Sequence, residues 1–224
     1  MNAKRKEIVI DFEHVFDKLT KPYEDLDPSQ LSAELSKRSL YTPKGGIIDT
    51  VALLSFFNIE DMLYLPETKY SNGKECLKPV GEWQQYLQTA IKKPQFIIPH
   101  PHNGKPAMTG TGNWSFRVAD CFPQRKFCIV ELSQVSLEGQ LAVWLGLMDA
   151  RFKPMAIISD GEDSVQAWLN ATSDREVNQV ISCLEPLHYN TSYSFISSMG
   201  RLAGVTNLEN GQEQKLIYLN SKIK

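Results

Sequence analysis

Between Ile91 and Cys128 the charged side chains are Lys92, Lys93, Lys105, Arg117, Arg125 and Lys126 against Asp120 alone. Trp114 lies in the same stretch beside Arg117. An aromatic face next to a cation is how proteins grip unpaired strands, because a base stacks on the ring while the cation meets phosphate. The next stretch, Ile129 to Asp174, has the opposite sign: Glu131, Glu138, Asp149, Asp160, Glu162, Asp163 and Asp174 against Arg151 and Lys153. A basic segment beside an acidic one can seat phosphates near cations, and two unrelated solvated surfaces give the same pattern. Glu131 stands on an otherwise apolar strand, where it either pairs with Arg117 or Arg201 as a structural residue or serves a ligand. Cys76, Cys121, Cys128 and Cys183 fall at no CxxC spacing, and His100 and His102 sit among prolines. That is no zinc cage, so free thiols are expected.

The elements that must position these groups belong to a globular chain. Of 224 residues 42% are apolar and 22% charged, and the net charge is −2. This excludes wholesale disorder and a generally basic nucleic-acid coat, though not a local basic groove. The longest apolar run, Leu141–Met148, is far short of the ~20 residues that cross a bilayer. Residues 1–10 are basic, then mixed, without an apolar targeting core, so a cytoplasmic protein without membrane contact is expected.

Caps and periodicity give the order of elements. Asp27-Pro28-Ser29-Gln30 opens a helix with Leu31 and Leu35 on one face. Pro43-Lys44-Gly45-Gly46 breaks the chain, which sets a helical extension over 1–45 apart from a unit over 46–224. A helix over Asp49–Phe57, a strand around Met62–Leu65 and a helix around Glu82–Ile91 follow. Residues 99–113 form an extended loop. Phe127–Leu132 is a buried strand, and Ser136 caps a helix with Leu137, Leu141, Leu145 and Met148 in phase. Strands over 154–158 and 165–169 flank the turn Asp160–Asp163. Ser173-Asp174-Arg175-Glu176 opens another helix, and 215–219 is the last strand. The order is β-α-β-β-α-β, the split or ferredoxin-like pattern, in an α+β protein.

The words written on that frame resemble the archaeo-eukaryotic primase superfamily, in particular the primase-polymerase domains of plasmids and phages. Ile59–Leu65 is similar to the group's early strand. Gln95-Phe96-Ile97-Ile98-Pro99-His100-Pro101 with Asn103-Gly104 is similar to its "FI-PNP-G" loop, and Trp114-Ser115-Phe116-Arg117 to its "S-R" element. Ile129–Ser133, continuing to Leu137-Glu138-Gly139-Gln140-Leu141, resembles "VVEsD-lPlEeQL", and Ser159–Trp168 resembles "SGgKSvHAW". Arg201-Leu202-Ala203-Gly204 and Gln214–Asn220 resemble "RLPG" and "Q-LLYLNP". The likeness spans roughly residues 46–220. It implies a primase-polymerase-like core whose ferredoxin/RRM-like βαββαβ half covers about 114–220, beside an N-terminal α/β unit. It also implies that an acidic pair on the first strand and a later aspartate hold two divalent metals, while a histidine contacts the incoming nucleotide. Such metals activate the attacking hydroxyl and neutralise the triphosphate, and carboxylates suit them as hard oxygen ligands.

The departures matter more. Glu131 is present, but its partner two positions on, facing the same way, is Ser133. The motif histidine is Gln166, the turn carries Glu162-Asp163 where the family often has lysine, and the later aspartate falls at about Asn190. A remnant site of Glu131, Ser133, Gln166 and Asn190 is therefore expected, with Glu131 at most a weak metal ligand and no cofactor. Nucleic-acid contacts fall to Arg117, Ser159, Ser164, Arg201, Lys105, Trp114 and Lys126, with Lys92, Lys93 and Arg125 in support. Trp144 and Trp168 are expected in the core. The first reading is a degenerate primase-polymerase domain that binds single-stranded or primer-template DNA, or RNA, as a replication accessory of a mobile element. The second is an active primase or polymerase using Mg²⁺ or Mn²⁺, with Glu138, Asp160 or Asp163 substituting for a lost carboxylate. The third is a subunit docking on a helicase or active primase through the Leu137–Met148 helix, which requires an exposed Trp144.

Overall fold

The computed structural model describes residues 12–132, 134–187 and 195–221. Its centre is an antiparallel sheet of β6 (Phe127–Glu131), β7 (Ala156–Ser159), β8 (Val165–Asn170), β10 (Val205–Thr206) and β11 (Glu213–Leu219), in the order β10-β11-β7-β8-β6. Helix α5 (Leu137–Asp149) connects β6 to β7, and β8 lies between them, so the crossover is split as expected. At one point the pairing departs from the ferredoxin-like pattern: the last strand joins β7 and not the first strand, β6. Helix α2 (Pro28–Lys37) helps hold it there, since Ser36 Oγ donates to the Ile217 carbonyl at 2.9 Å.

Alternating residues of the strands feed two different cores. On one face Cys128, Val130, Ile157, Val165, Ala167 and Leu169 pack with α1 (Phe12–Thr20), α2, α5 and α6 (Asp174–Leu184). The capping box foreseen at Asp27 and Gln30 is formed, and Ser136 and Ser173 cap α5 and α6. Helix α5 is buried from Gln140 to Gly146 because α1 and α2 cover its outer side. At Gly146 the approach is so close that a Cβ would collide with the backbone of Leu19. Trp144 is 0% exposed, as the expectation of a core residue requires, and the exposed docking helix of the third reading is not present. The apolar face of α2, Leu31 and Leu35, is legible in the sequence, while the charge mixture around Val15, Phe16 and Leu19 hides that of α1.

The other face carries Phe127, Ile129, Ala156, Ile158, Trp168 and Leu216 against α3 (Ile47–Leu54) and α4 (Val80–Thr89). Short pairs complete this side: β1 (Met62–Tyr64) with β2 (Leu77–Pro79), β3 (Phe96–Ile97) with β9 (Gly200–Arg201), and the hairpin β4 (Ala107–Met108) with β5 (Trp114–Ser115). Among the described residues no helix is long and apolar enough to cross a membrane.

Candidate nucleic-acid interface

The second face ends in polar groups. Ile158, Gln166 and Glu131 are register partners across β7, β8 and β6, and two-residue periodicity carries the same side on to Asp160. Gln166 is buried, and its amide is used at both ends. Its Nε2 donates to Glu131 Oε2 at 2.8 Å, and its Oε1 accepts from the Arg201 backbone N–H at 2.9 Å. A histidine cannot satisfy both partners from one planar end in this way, so the glutamine fits the task it performs here.

Arg201 arrives on β9, which lies against the sheet face. Gly200 makes that approach feasible: a Cβ there would stand 2.8 Å from Ile129 Cδ1 and 3.2 Å from Trp168 Nε1. The Nη2 of Arg201 then sits among three oxygens, Glu131 Oε2 at 3.5 Å, Asp160 Oδ2 at 3.4 Å and Ser164 Oγ at 3.4 Å. Asp160 is held by its own turn, its Oδ1 accepting from the N–H groups of Glu162 at 3.0 Å and Ser164 at 3.1 Å. One guanidinium thus answers two carboxylates, and the group keeps one negative charge in excess.

Beside this cluster lies a cleft of about 260 Å³, lined by Lys69, Phe96, Arg117, Gln166, Arg201 and the segment 197–199. Arg117 is aimed by backbone carbonyls: its Nη1 donates to Lys69 O and, at 3.3 Å, to Ser71 O. Ser115 Oγ receives the Arg117 N–H at 3.0 Å and donates to Asn72 Oδ1 at 2.8 Å, which fixes the strand to that loop. No ion pair among the described residues involves Arg117, so its charge is available to an anion. The Nε atoms of Arg117 and Arg201 are both buried without a hydrogen-bond partner, two donors an anionic ligand could satisfy. Lys69 pairs with Glu209 at 2.9 Å in solvent, where such a pair is worth little and yields readily.

Glu131, Gln166, Ser164, Arg201 and Arg117 therefore come together. Ser133 and Asn190 lie outside the described residues. Ser159 does not join the cleft: its Oγ accepts from the Gly161 N–H at 3.0 Å, and it lines a separate groove with α2. The strand alternation that points Ile158 one way points Ser159 the other. The cations of 91–128 do not all line this cleft either. Lys126 lies 4.7 Å over the Phe57 ring, its pKa lowered by burial, and Arg125 pairs with Asp174 at 3.4 Å. Lys92 approaches Glu67 at 3.9 Å, while Lys105 is exposed beside the hairpin; of the six, only Arg117 lines the cleft. Trp114 is 65% exposed on β5, and its register partner Met108 is exposed as well. Trp83, Trp144 and Trp168 are at most 2% exposed.

The loop histidines are structural. His102 Nδ1 accepts from the Gly104 N–H at 2.9 Å, which leaves Nε2 to donate to Phe116 O at 3.1 Å. His100 Nδ1 accepts from the Lys126 N–H at 3.0 Å, and burial together with Arg125 brings its pKa down to about 3. Lys69 and the 197–199 segment were not foreseen, since nothing in their types or spacing marks them; Phe96 stood in the Gln95–Pro101 stretch but was not named as a site residue. Asp160 was one of three substitutes weighed for a missing carboxylate. It reaches the cluster, while Glu138 and Asp163 are exposed.

No protein-family model and no curated protein matches the sequence. Among solved structures, the chain is similar to the AEP domain of the primase-polymerase of cyanophage S-2L, with a TM-score of 0.50 and 13% identity over 79% of this chain and 90% of that one. The catalytic domain of the primase RepB′, solved in complex with initiator DNA, matches at a TM-score of 0.48 and 16% identity, over 79% of this chain and 86% of that one. The fold is primase-polymerase-like.

Proposed function

We propose that the protein is a degenerate primase-polymerase-like domain that binds single-stranded nucleic acid at the cleft and does not join nucleotides. Arg117 and Lys69 meet phosphate, and Trp114 offers a stacking face on the neighbouring hairpin. The observation that carries this reading is the state of Glu131, whose Oε2 is taken by the Gln166 amide and Arg201. A two-metal centre of the kind the resemblance implies does not fit these residues. Ser133 and Gln166 are neutral types where a carboxylate and a histidine are expected, and no group of three or more His, Cys, Asp and Glu among the described residues could hold an ion. The natural setting of such a protein is accessory to replication of a mobile element.

Anisotropy of a labelled single-stranded oligonucleotide, titrated at about 50 and about 200 mM salt, tests the reading. Binding should weaken steeply with salt through counterion release, and Arg117→Ala should lower the salt slope by about 1. No binding at low salt would refute it. One observation favours a second reading, nucleotidyl transfer at a rearranged site: Asp160 shares a cation with Glu131. Primer extension with Mn²⁺ that is lost in Glu131→Gln would establish it in place of the first.

A further inference from the structure

We propose that Tyr70 is a second base-stacking residue, set beside the cleft to take an unpaired base of the strand whose phosphates meet Lys69 and Arg117. The role rests on strand binding at the cleft. Tyr70 is 91% exposed, so its ring adds nothing to the core, and the turn that carries it is nonetheless braced from within and from outside. Within the turn, the Ser71 N–H donates to Thr68 O, the Thr68 N–H to Ser71 Oγ and the Tyr70 N–H to Thr68 Oγ1, each at 3.2 Å. From outside, the hydroxyl of buried Tyr64 donates to Ser71 O at 2.8 Å. Arg117 Nη1 reaches the carbonyls of Lys69 and Ser71, one on each side of Tyr70.

The same turn is joined to the hairpin that bears Trp114. Asn72 Oδ1 accepts from Ser115 Oγ at 2.8 Å and from the Phe116 N–H at 3.2 Å. Two exposed rings, Tyr70 and Trp114, therefore stand on segments tied to each other and to Arg117. Lys69, one residue before Tyr70, lines the cleft with its Nζ 5.8 Å over the Phe96 ring. A cation directed into a cleft beside a ring left in solvent meets the two needs of a single strand, phosphate and base face. An aromatic side chain has two rotatable angles, so on a fixed backbone it has little freedom to lose on contact. Ile59 and Ile91 are exposed as well but have no π face to offer a base.

Anisotropy of a labelled single-stranded oligonucleotide at low salt tests this with Tyr70→Ala, Tyr70→Phe and an abasic strand of equal length. Tyr70→Ala should weaken binding about 5- to 100-fold, the range for the loss of one stacked base. Its salt slope should match that of the wild type, since no phosphate contact is removed, and its melting temperature should be unchanged. Tyr70→Phe keeps the ring and should bind as the wild type does. On the abasic strand the wild type and Tyr70→Ala should bind alike, because there is no base to stack. Wild-type binding that Tyr70→Ala leaves intact, a loss shared by Tyr70→Phe, or a loss that persists on the abasic strand would overturn the proposal. Absence of wild-type binding would instead refute strand binding at the cleft, and this role with it.

Discussion

The two faces of the central sheet are built from the same strands and do different work. One is apolar at its strand positions apart from Ser159, beneath a layer of four helices. The other is apolar up to Ile129, Trp168 and Ile158, then ends in Glu131, Gln166 and Asp160. The first face can dispense with directional bonds, since area removed from water suffices. The second keeps polar groups in a poorly solvated place, so each needs a partner, and Gln166 and Arg201 are shared among several. Both faces bury an apolar core, and the shared polar contacts are gathered at the end of the second.

The largest effect should come from the helix-covered face. Trp144→Ala opens a cavity under α1 and α2 and is expected to cost about 3–5 kcal/mol in urea denaturation. Glu131→Ala comes next, at about 2–3 kcal/mol, because the Gln166 amide and Arg201 lose their acceptor in a half-buried site. A cost for Glu131→Ala as large as that for Trp144→Ala would erase the distinction between the faces.

His100 gives a smaller, pH-dependent term. Its folded pKa of about 3 lies below the ordinary 6.5, so only the unfolded chain takes up its proton as pH falls through 6.5. Stability from this residue is complete above that value and declines toward pH 3. Between pH 7 and pH 5 the loss is about 2 kcal/mol. His100→Asn, which can still accept the Lys126 N–H, should flatten this part of the stability profile. Trp114→Ala should have the smallest effect on folding, within about 0.5 kcal/mol, since its ring is in solvent. It should nevertheless remove the fluorescence response to single strands, and so separates a binding surface from a structural one.

Much of the frame was legible because caps and periodicity are local. The caps at Asp27, Ser136 and Ser173 form, as do the strands around Met62, Phe127 and Val165. The meeting of Glu131 with Gln166 and Arg201 was legible from the order of the motifs. What the sequence hid depends on distant packing. The pairing of β11 with β7 is set by segments far apart in the chain, and Lys69 reaches the cleft from a turn with no chemical mark. Of the six cations of 91–128 only Arg117 lines the cleft, because charge counted along a sequence ignores direction. Lys126 and Arg125 spend theirs on an aromatic ring and on a helix start.

The most direct test uses the one exposed tryptophan as its reporter. Single-stranded DNA is titrated into the wild-type protein, with intrinsic fluorescence recorded once in a chelator and once in Mn²⁺, at low salt. The Trp114 signal should change with equal affinity in both. A signal that appears only with Mn²⁺, or none in either, would contradict it.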